Sequence, residues 1–150
     1  DAHPLFGNNA KLAELLQLDI AGSFPSDNSA VGMYGTLKSA MTAGDFAHKI
    51  TEALGRDVLH IGDAHQQIQT LAWCSGAAQG YIEHAAELGV NAYLTGEISE
   101  QTVHIARESG VHFYAAGHHA TERYGVQAFA EHLASHFDLE HQFIDISNPV

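Results

Sequence analysis

Cysteine, basic residues and long apolar runs are all scarce in this chain. The single cysteine, Cys74, excludes an internal disulfide bond and fits a reducing compartment. No apolar run approaches the roughly 20 residues that are needed to span a bilayer. We therefore expect a cytoplasmic protein that has no membrane partner.

The charge balance is strongly acidic. Six lysine and arginine residues face 18 aspartate and glutamate residues, which gives a formal net charge of −12 when the histidines are neutral. Proteins that bind nucleic acid through its phosphates need clustered basic residues. The composition therefore argues against a nucleic-acid partner, and it favours the attraction of divalent cations.

The length and apolar content are those of one ordinary domain. A chain of 150 residues can bury a core, and hydrophobic residues make up 45% of it. Cys74 ends an apolar run, which predicts a buried thiol rather than a catalytic nucleophile. We expect a single α/β domain across residues 1–150.

Apolar periodicity predicts helices early in the chain and an alternation of strands and helices after them. Residues 8–18 and 42–54 have helical spacing; Asn8 or Asn9 would cap the first helix, while Thr42 caps the second and Gly55 ends it. Residues 20–29 resemble a loop and residues 31–37 an irregular strand. The alternation predicts an α/β fold with a mixed, largely parallel sheet and helices on both faces. The later predicted strands are 58–61, 68–74, 92–95, 112–116 and 141–146, and the helices between them are 80–88, 99–108 and 120–136.

The most informative motif is Ala116-Gly117-His118-His119-Ala120-Thr121-Glu122-Arg123, where a predicted strand turns into a helix. His118 and Glu122 are four residues apart, so on a helix their Cβ atoms lie about 5–6 Å apart on one face. An imidazole and a carboxylate at that spacing can bind one metal ion. His119 with Glu122 is a second candidate pair, and a polar helix start without a metal is the alternative.

Candidate side chains follow three predicted strands, at Ser75-Gly76, Gly96-Glu97 and Gly117-His118. Ligands of such sheets gather beyond the carboxyl ends of the strands, so these residues should meet at one edge. The small residues around Gly76 could admit a phosphate or a substrate, or could form only a tight turn. Glu97 could orient a ligating histidine, act as a base or cap the next helix.

The remaining polar candidates have simpler alternatives. Arg123 could neutralise an anionic substrate or pair with a neighbouring acid. His84 and His104 lie on predicted helices and should face solvent. His60 and His65 could join a cluster with an aspartate, although surface positions in a loop account for them more simply.

Several sequence blocks resemble one known family. The chain is similar to the C-terminal portion of the YbgI-type dinuclear-metal proteins, which are often labelled type 2 GTP cyclohydrolase I homologues. The specific blocks are Asp1-Ala2-His3-Pro4 and the Gly-His-His-Ala-Thr-Glu-Arg motif at 117–123. Supporting blocks at 72–76, 95–101 and 143–149 follow in the family's order, so the resemblance covers nearly the whole chain.

The resemblance implies a metal site and an assembly. Its metal ligands in this chain would be Asp1, His118 and Glu122, and Glu97 stands where the family has an acidic residue, as a candidate catalytic base. The family has two divalent ions per complete site, and Zn, Fe, Mn or Ni would suit the mixed ligands. The chain is then part of a two-lobed family fold, without the N-terminal half and its histidine pair. The full-length protein would form a hexamer.

These observations lead to two functional hypotheses. In the first, the chain is part of a metal-dependent hydrolase, in which two divalent ions activate a water molecule for attack on a small-molecule substrate. In the second, it is a non-enzymatic metal-binding scaffold, whose metal serves assembly. No residue in the sequence selects a particular substrate.

Overall fold

The computed structural model describes residues 1–26 and 30–150. In these two ranges, no helix combines the length and the apolar character needed to cross a membrane. A 3₁₀ turn at Gln79–Tyr81 precedes the third α-helix. The strands are β1 (Leu18–Phe24), β2 (Gly32–Thr42), β3 (Leu59–Ile61), β4 (Gln67–Trp73), β5 (Ala92–Thr95) and β6 (His112–Ala115). The α-helices are α1 (Asn8–Leu16), α2 (Ala43–Leu54), α3 (Ile82–Glu87), α4 (Glu100–Ser109), α5 (His118–Glu122) and α6 (Tyr124–Phe137).

All six strands form one sheet in the order β1-β2-β4-β5-β6-β3. The predicted α/β class and the mixed sheet are confirmed, but parallel pairing is the minority. β4, β5 and β6 pair in parallel because helical crossovers join them. The pairings β1–β2, β2–β4 and β6–β3 are antiparallel. The expected largely parallel sheet therefore exists only at its centre.

Apolar side chains cover both faces of the sheet, as predicted. Leu71 and Trp73 of β4 lie in one core cluster with residues of α1 and α2. Ala72 and Cys74 lie in a second cluster with residues of α3 and α4. Neighbouring strand residues point to opposite faces, so the unbroken apolar run of β4 reflects burial on both sides.

The helix boundaries follow local capping chemistry, with one correction at α1. The Thr42 side chain accepts a hydrogen bond from the Asp45 amide at the start of α2, and Gly55 ends that helix in the left-handed conformation, as predicted. Gly7, rather than Asn8 or Asn9, is the N-cap of α1, and it makes no side-chain capping bond. Both asparagines lie inside the helix and are buried, because their side chains bind other parts of the chain.

Three other predictions were wrong in part. Residues 20–24 of the predicted loop belong to the edge strand β1, whereas residues 27–29 of that loop lie outside the described residues. The predicted helix 120–136 is two helices, which meet at Arg123. Residues 141–146 form no strand, because the sheet ends at β1 and β3 and this exposed segment reaches neither edge in a paired register.

Candidate metal centre

The loops that follow the three parallel strands are bonded to one another. The Gly96 amide donates to the Gly76 carbonyl at 2.9 Å, and the Gly117 amide donates to the Gly96 carbonyl at 2.8 Å. The sheet pairing thus continues one step beyond the strands. This brings Glu97, which follows β5, beside His118, the first residue of α5.

His118 lies between two carboxylates. Its Nδ1 atom is 2.6 Å from Glu97 Oε1, and its Nε2 atom is 3.0 Å from Glu122 Oε2. A carboxylate only accepts, so both ring nitrogens donate in the protonated imidazolium. The hydrogen bond to Glu97 is the main reason why the pKa of His118 is raised, and the charge of Glu122 adds to it while partial burial opposes it. His118 and Glu122 share one helix face, as the spacing predicted.

Two glycines permit this close arrangement. Gly76 has a positive φ of 70°, and a Cβ atom there would collide with Glu122 Oε1. A Cβ atom at Gly96 would lie 2.7 Å from both the Gly76 oxygen and the His118 Cα atom. Real Cβ contacts are almost never this short, so both positions require glycine.

The turn after β4 is closed by side chains from elsewhere in the chain. The Ser75 amide donates to Asn9 Oδ1 at 2.8 Å, and the Gly76 amide donates to Thr121 Oγ1 at 3.0 Å. These amides are therefore already paired, and the geometry favours the tight-turn interpretation over phosphate contact. Sequence reasoning missed Asn9 and Thr121 as supports. Two adjacent asparagines at the start of an apolar helix were the available signal.

Asp1 stays apart from the pair formed by His118 and Glu122. Its Oδ1 atom accepts a hydrogen bond from Asn8 Nδ2 at 2.7 Å, and Asn8 Oδ1 accepts from the Gly125 amide. Within residues 1–26 and 30–150, no three His, Cys, Asp or Glu side chains are grouped so that they could hold a metal ion. The donor chemistry of His118 and Glu122 fits two ligand positions of a metal site, and Asp1 does not complete it in this arrangement.

The C-terminal segment, residues 138–150, lies beside the candidate centre. Asp145 contacts His119 Nε2 at 3.0 Å and accepts a hydrogen bond from Arg123 Nη1 at 2.8 Å. The acid-pairing interpretation of Arg123 is thus the one that the geometry favours. The segment also lines one side of an open cavity of about 630 Å³, whose lining includes His118 and Glu122.

A second histidine cluster lies at the opposite end of β6. His60 Nε2 is 3.1 Å from His112 Nδ1, and His112 Nε2 is 2.9 Å from Gln66 Oε1. The His60 ring stacks on Tyr114, with the ring centroids 4.7 Å apart. Burial lowers the pKa of both histidines, because it disfavours the charged imidazolium. His60 therefore lies half-buried on β3 against the buried His112 of β6, and its expected position in a surface loop was wrong.

The other predicted positions agree with the structure. His84, His104 and His65 are exposed. Cys74 is buried, and burial raises the pKa of its thiol to about 11, which makes it a poor nucleophile.

The chain has close relatives among curated sequences. It is 51% identical over 150 residues to the GTP cyclohydrolase 1 type 2 homolog of Yersinia pestis, and 52% identical to that of Pseudomonas aeruginosa. Each alignment covers 99% of this chain and 59% of the relative. The chain thus spans about three fifths of the length of the curated relatives that it matches.

Solved structures and a family model agree with these similarities. Protein ybgI, described as having unknown function, matches with a TM-score of 0.94 and 47% identity, over 100% of this chain and 60% of its own. TTHA1606 from Thermus thermophilus matches with a TM-score of 0.84 and 27% identity, over 99% of this chain and 58% of its own. The model of the Duf34/NIF3 (NGG1p interacting factor 3) family matches residues 1–149. The chain belongs to the Duf34/NIF3 family.

Proposed function

We propose that this chain is part of a divalent-metal-dependent hydrolase, with His118 and Glu122 as metal ligands and Asp1 as a third. The observation that carries the proposal is the position of His118 between Glu97 and Glu122. Histidine ligands of metals commonly donate their second ring N–H to a carboxylate, which fixes the tautomer and the ring orientation. Glu97 makes this contact, and it leaves Nε2 directed at Glu122.

Each residue of the centre has a definite chemical role in this proposal. Divalent ions bound here would lower the pKa of water and stabilise the oxygen charge that develops during its attack. Glu97 keeps a proton on Nδ1 of His118, so that Nε2 is the nitrogen that becomes available as a ligand. The second oxygen of Glu97 remains free to act as a base. Gly76 and Gly96 hold the two loops close enough for these contacts.

The complete site requires groups that lie outside this chain. The chain supplies three proposed ligands, which are too few for a centre with two ions, and it spans 59% of the Yersinia pestis relative. The relatives are named GTP cyclohydrolase 1 type 2 homologs, which supports a cyclohydrolase-like reaction. Two ions per complete site, drawn from Zn, Fe, Mn or Ni, are part of the same proposal, as is a cytoplasmic location.

A second candidate function is a non-enzymatic metal-binding scaffold within a homo-oligomer. Its support is the apolar surface of α6, where Val126 is 56%, Phe129 is 50% and Phe137 is 61% exposed. Large exposed apolar side chains on one helix are typical of a protein–protein interface. A hexamer of the full-length protein would bury such a surface.

Metal content is the first test of both proposals. The full-length protein, which supplies the groups that lie outside this chain, would be purified, incubated with excess Zn or Mn, desalted and assayed for bound metal. We expect His118→Ala to lose the metal that the wild type retains, whereas His104→Ala, which removes an exposed histidine, should retain it. Equal metal in the two variants would contradict the ligand assignment.

The oligomeric state with and without a chelator separates the two functions. A scaffold whose metal serves assembly should dissociate on chelation, as measured by light scattering. A hydrolase should keep its assembly and lose metal-dependent turnover in the full-length protein. An assembly that survives chelation, together with no turnover under any metal, would contradict both proposals.

A further inference from the structure

The C-terminal segment places a carboxylate on two potential anion-binding groups. Asp145 contacts His119 Nε2 through Oδ1 and Arg123 Nη1 through Oδ2. The His119 amide also donates to the Val150 carbonyl at 3.0 Å. Every donor in this set therefore binds an oxygen of the chain's own C-terminal segment.

Two of the basic residues of this acidic protein lie at this place. Only six lysines and arginines exist in the sequence, and two of them, Arg56 and Arg123, line one cavity of about 560 Å³ with His119. Its two acidic lining residues are Asp57 and Asp145. Without Asp145 the formal charge of the lining rises from zero to +1, with His119 neutral. The cavity then becomes attractive to an anion.

The cavity adjoins the candidate metal centre. His119 and Arg123 also line the larger cavity, which contains His118 and Glu122. The Nε atom of Arg123 is buried and has no hydrogen-bond partner among the described residues, so the guanidinium keeps an unused donor. A ligand that is anchored on His119 and Arg123 therefore lies at the border of the cavity that contains His118.

The contacts that hold Asp145 in place are weak. Its side chain is 45% exposed, and ion pairs at such positions contribute little to stability. The neighbouring Ile144 and Ile146 are 71% and 76% exposed, so apolar packing does not anchor the segment. A soluble anion can compete with Asp145 for the same donors.

We propose that His119, Arg123 and Arg56 form a subsite for the phosphate group of a small-molecule substrate, and that Asp145 occupies this subsite until the substrate displaces it. A carboxylate satisfies two donors, whereas the three terminal oxygens of a phosphate suit three donor side chains on two sides of a cavity. The proposal rests on the proposed hydrolase for the reaction that follows, but anion binding itself requires no metal.

The test is a titration of the metal-free full chain with inorganic phosphate. Calorimetry measures the affinity, and NMR monitors the amide signals of residues 143–150. Asp145→Asn removes the competing charge and keeps the shape. Glu140→Gln removes one charge from the same exposed segment without lining either cavity. We expect Asp145→Asn to bind phosphate about fivefold more tightly than the wild type, and Glu140→Gln to match the wild type. Arg123→Gln should weaken binding in both backgrounds.

Two results would overturn the proposal. One is equal phosphate affinity in the Asp145→Asn and Glu140→Gln variants, and the other is an Arg123→Gln variant that binds phosphate as well as its parent. Metal retention by the same variants after they are reloaded with metal, measured separately, distinguishes failure of the phosphate subsite from failure of the hydrolase centre. Retained metal with no phosphate subsite would refute only the substrate class, whereas lost metal with an intact subsite would refute only the hydrolase centre.

Discussion

Two histidine sites lie at opposite ends of the same four-residue strand, and their environments differ in kind. At the carboxyl end of β6, His118 is partly exposed and contacts two carboxylates, which raise its pKa. At the amino end, His112 is 5% exposed and contacts a histidine and a glutamine, and burial lowers its pKa.

The difference shows that one strand can carry a buried histidine that stabilises the fold at one end and an accessible histidine that is suited to chemistry at the other. Around His112, the His60 ring stacks on both His112 and Tyr114, and burial favours the neutral form of the imidazole. Around His118, glycine loops bring backbone and carboxylates close but leave the ring partly open. A ring that is accessible and flanked by charge is the one suited to a ligand or a proton.

The largest expected effect comes from placing a side chain at Gly96, where the loops after the parallel strands are in close backbone contact. Gly96→Val should lower the free energy of unfolding by about 3 kcal/mol, because the new side chain meets main-chain atoms that cannot move aside. Urea denaturation measures this change. Gly80→Val is the matched control, because a Cβ atom there meets nothing within 4 Å. Equal losses in the two variants would show that the glycine loops are not tightly constrained.

The next effect tests the structural role of the amino end. His112→Ala should lower the free energy of unfolding by about 2 kcal/mol, because it leaves His60 and Gln66 without their partner and opens a buried space. His118→Ala should change it by less than about 0.5 kcal/mol. Thermal and urea unfolding of both variants would give this contrast. A reversed order would mean that His118 is the structural residue.

A smaller effect should follow from weakening the support of His118. Glu97→Gln should reduce metal affinity about tenfold, because its amide still accepts from Nδ1 but carries no charge. The same variant should lower the pKa of His118, which NMR titration of the metal-free protein can follow. Glu87→Gln changes the equivalent partner of the exposed His84 and is the control. An unchanged metal affinity and pKa would show that Glu97 does not orient the ring.

Much of this fold was predictable from local sequence, and the exceptions have physical causes. The limits of β5 and the caps of α2 followed from apolar runs and from Thr42 and Gly55, all of which act locally. The order of the strands did not follow from local sequence, because the pairing of β3 with β6 joins residues about 50 positions apart. Residues 141–146 are apolar enough to predict a strand, but they pair with neither of the two edge strands, β1 and β3.

The candidate site likewise has contacts that the sequence predicted and contacts that depend on the tertiary fold. The i,i+4 spacing of His118 and Glu122 predicted their contact, and the convergence of strand ends predicted the approach of Glu97. The adjacent asparagines were the one signal for the role of Asn9, and the role of Asp145 had none, since each acts through contacts that only the tertiary fold creates. The role of Asp1 as a ligand stays a prediction, since its carboxylate accepts a hydrogen bond from Asn8 in this arrangement.

The smallest effect is on the pH dependence of stability, and its sign should differ between the two ends. The folded-state pKa of His60 lies below 6.5, so the unfolded chain binds more protons between that pKa and 6.5. The advantage of the wild type over His60→Gln should therefore be full above pH 6.5 and fall on acidification, by less than about 1 kcal/mol.

The pKa of His118 is raised, so the pH dependence of stability has the opposite sign at the carboxyl end of β6. The advantage of the wild type over His118→Gln should be full below pH 6.5 and disappear as the pH rises through the folded-state pKa. Urea unfolding between pH 5 and pH 8 measures both differences. Parallel pH profiles for the two variants would contradict the proposed contrast between the sites.

The edge position of β3 has a consequence for synthesis on the ribosome. His60 of β3 precedes its partner His112 by 52 residues. At about 5–20 residues per second, β3 has no strand to pair with for roughly 3–10 s after it is made. Closing so long a loop is slow compared with forming a local hairpin. His118 follows β6 in the chain, so the candidate metal centre cannot form before β6 has been made.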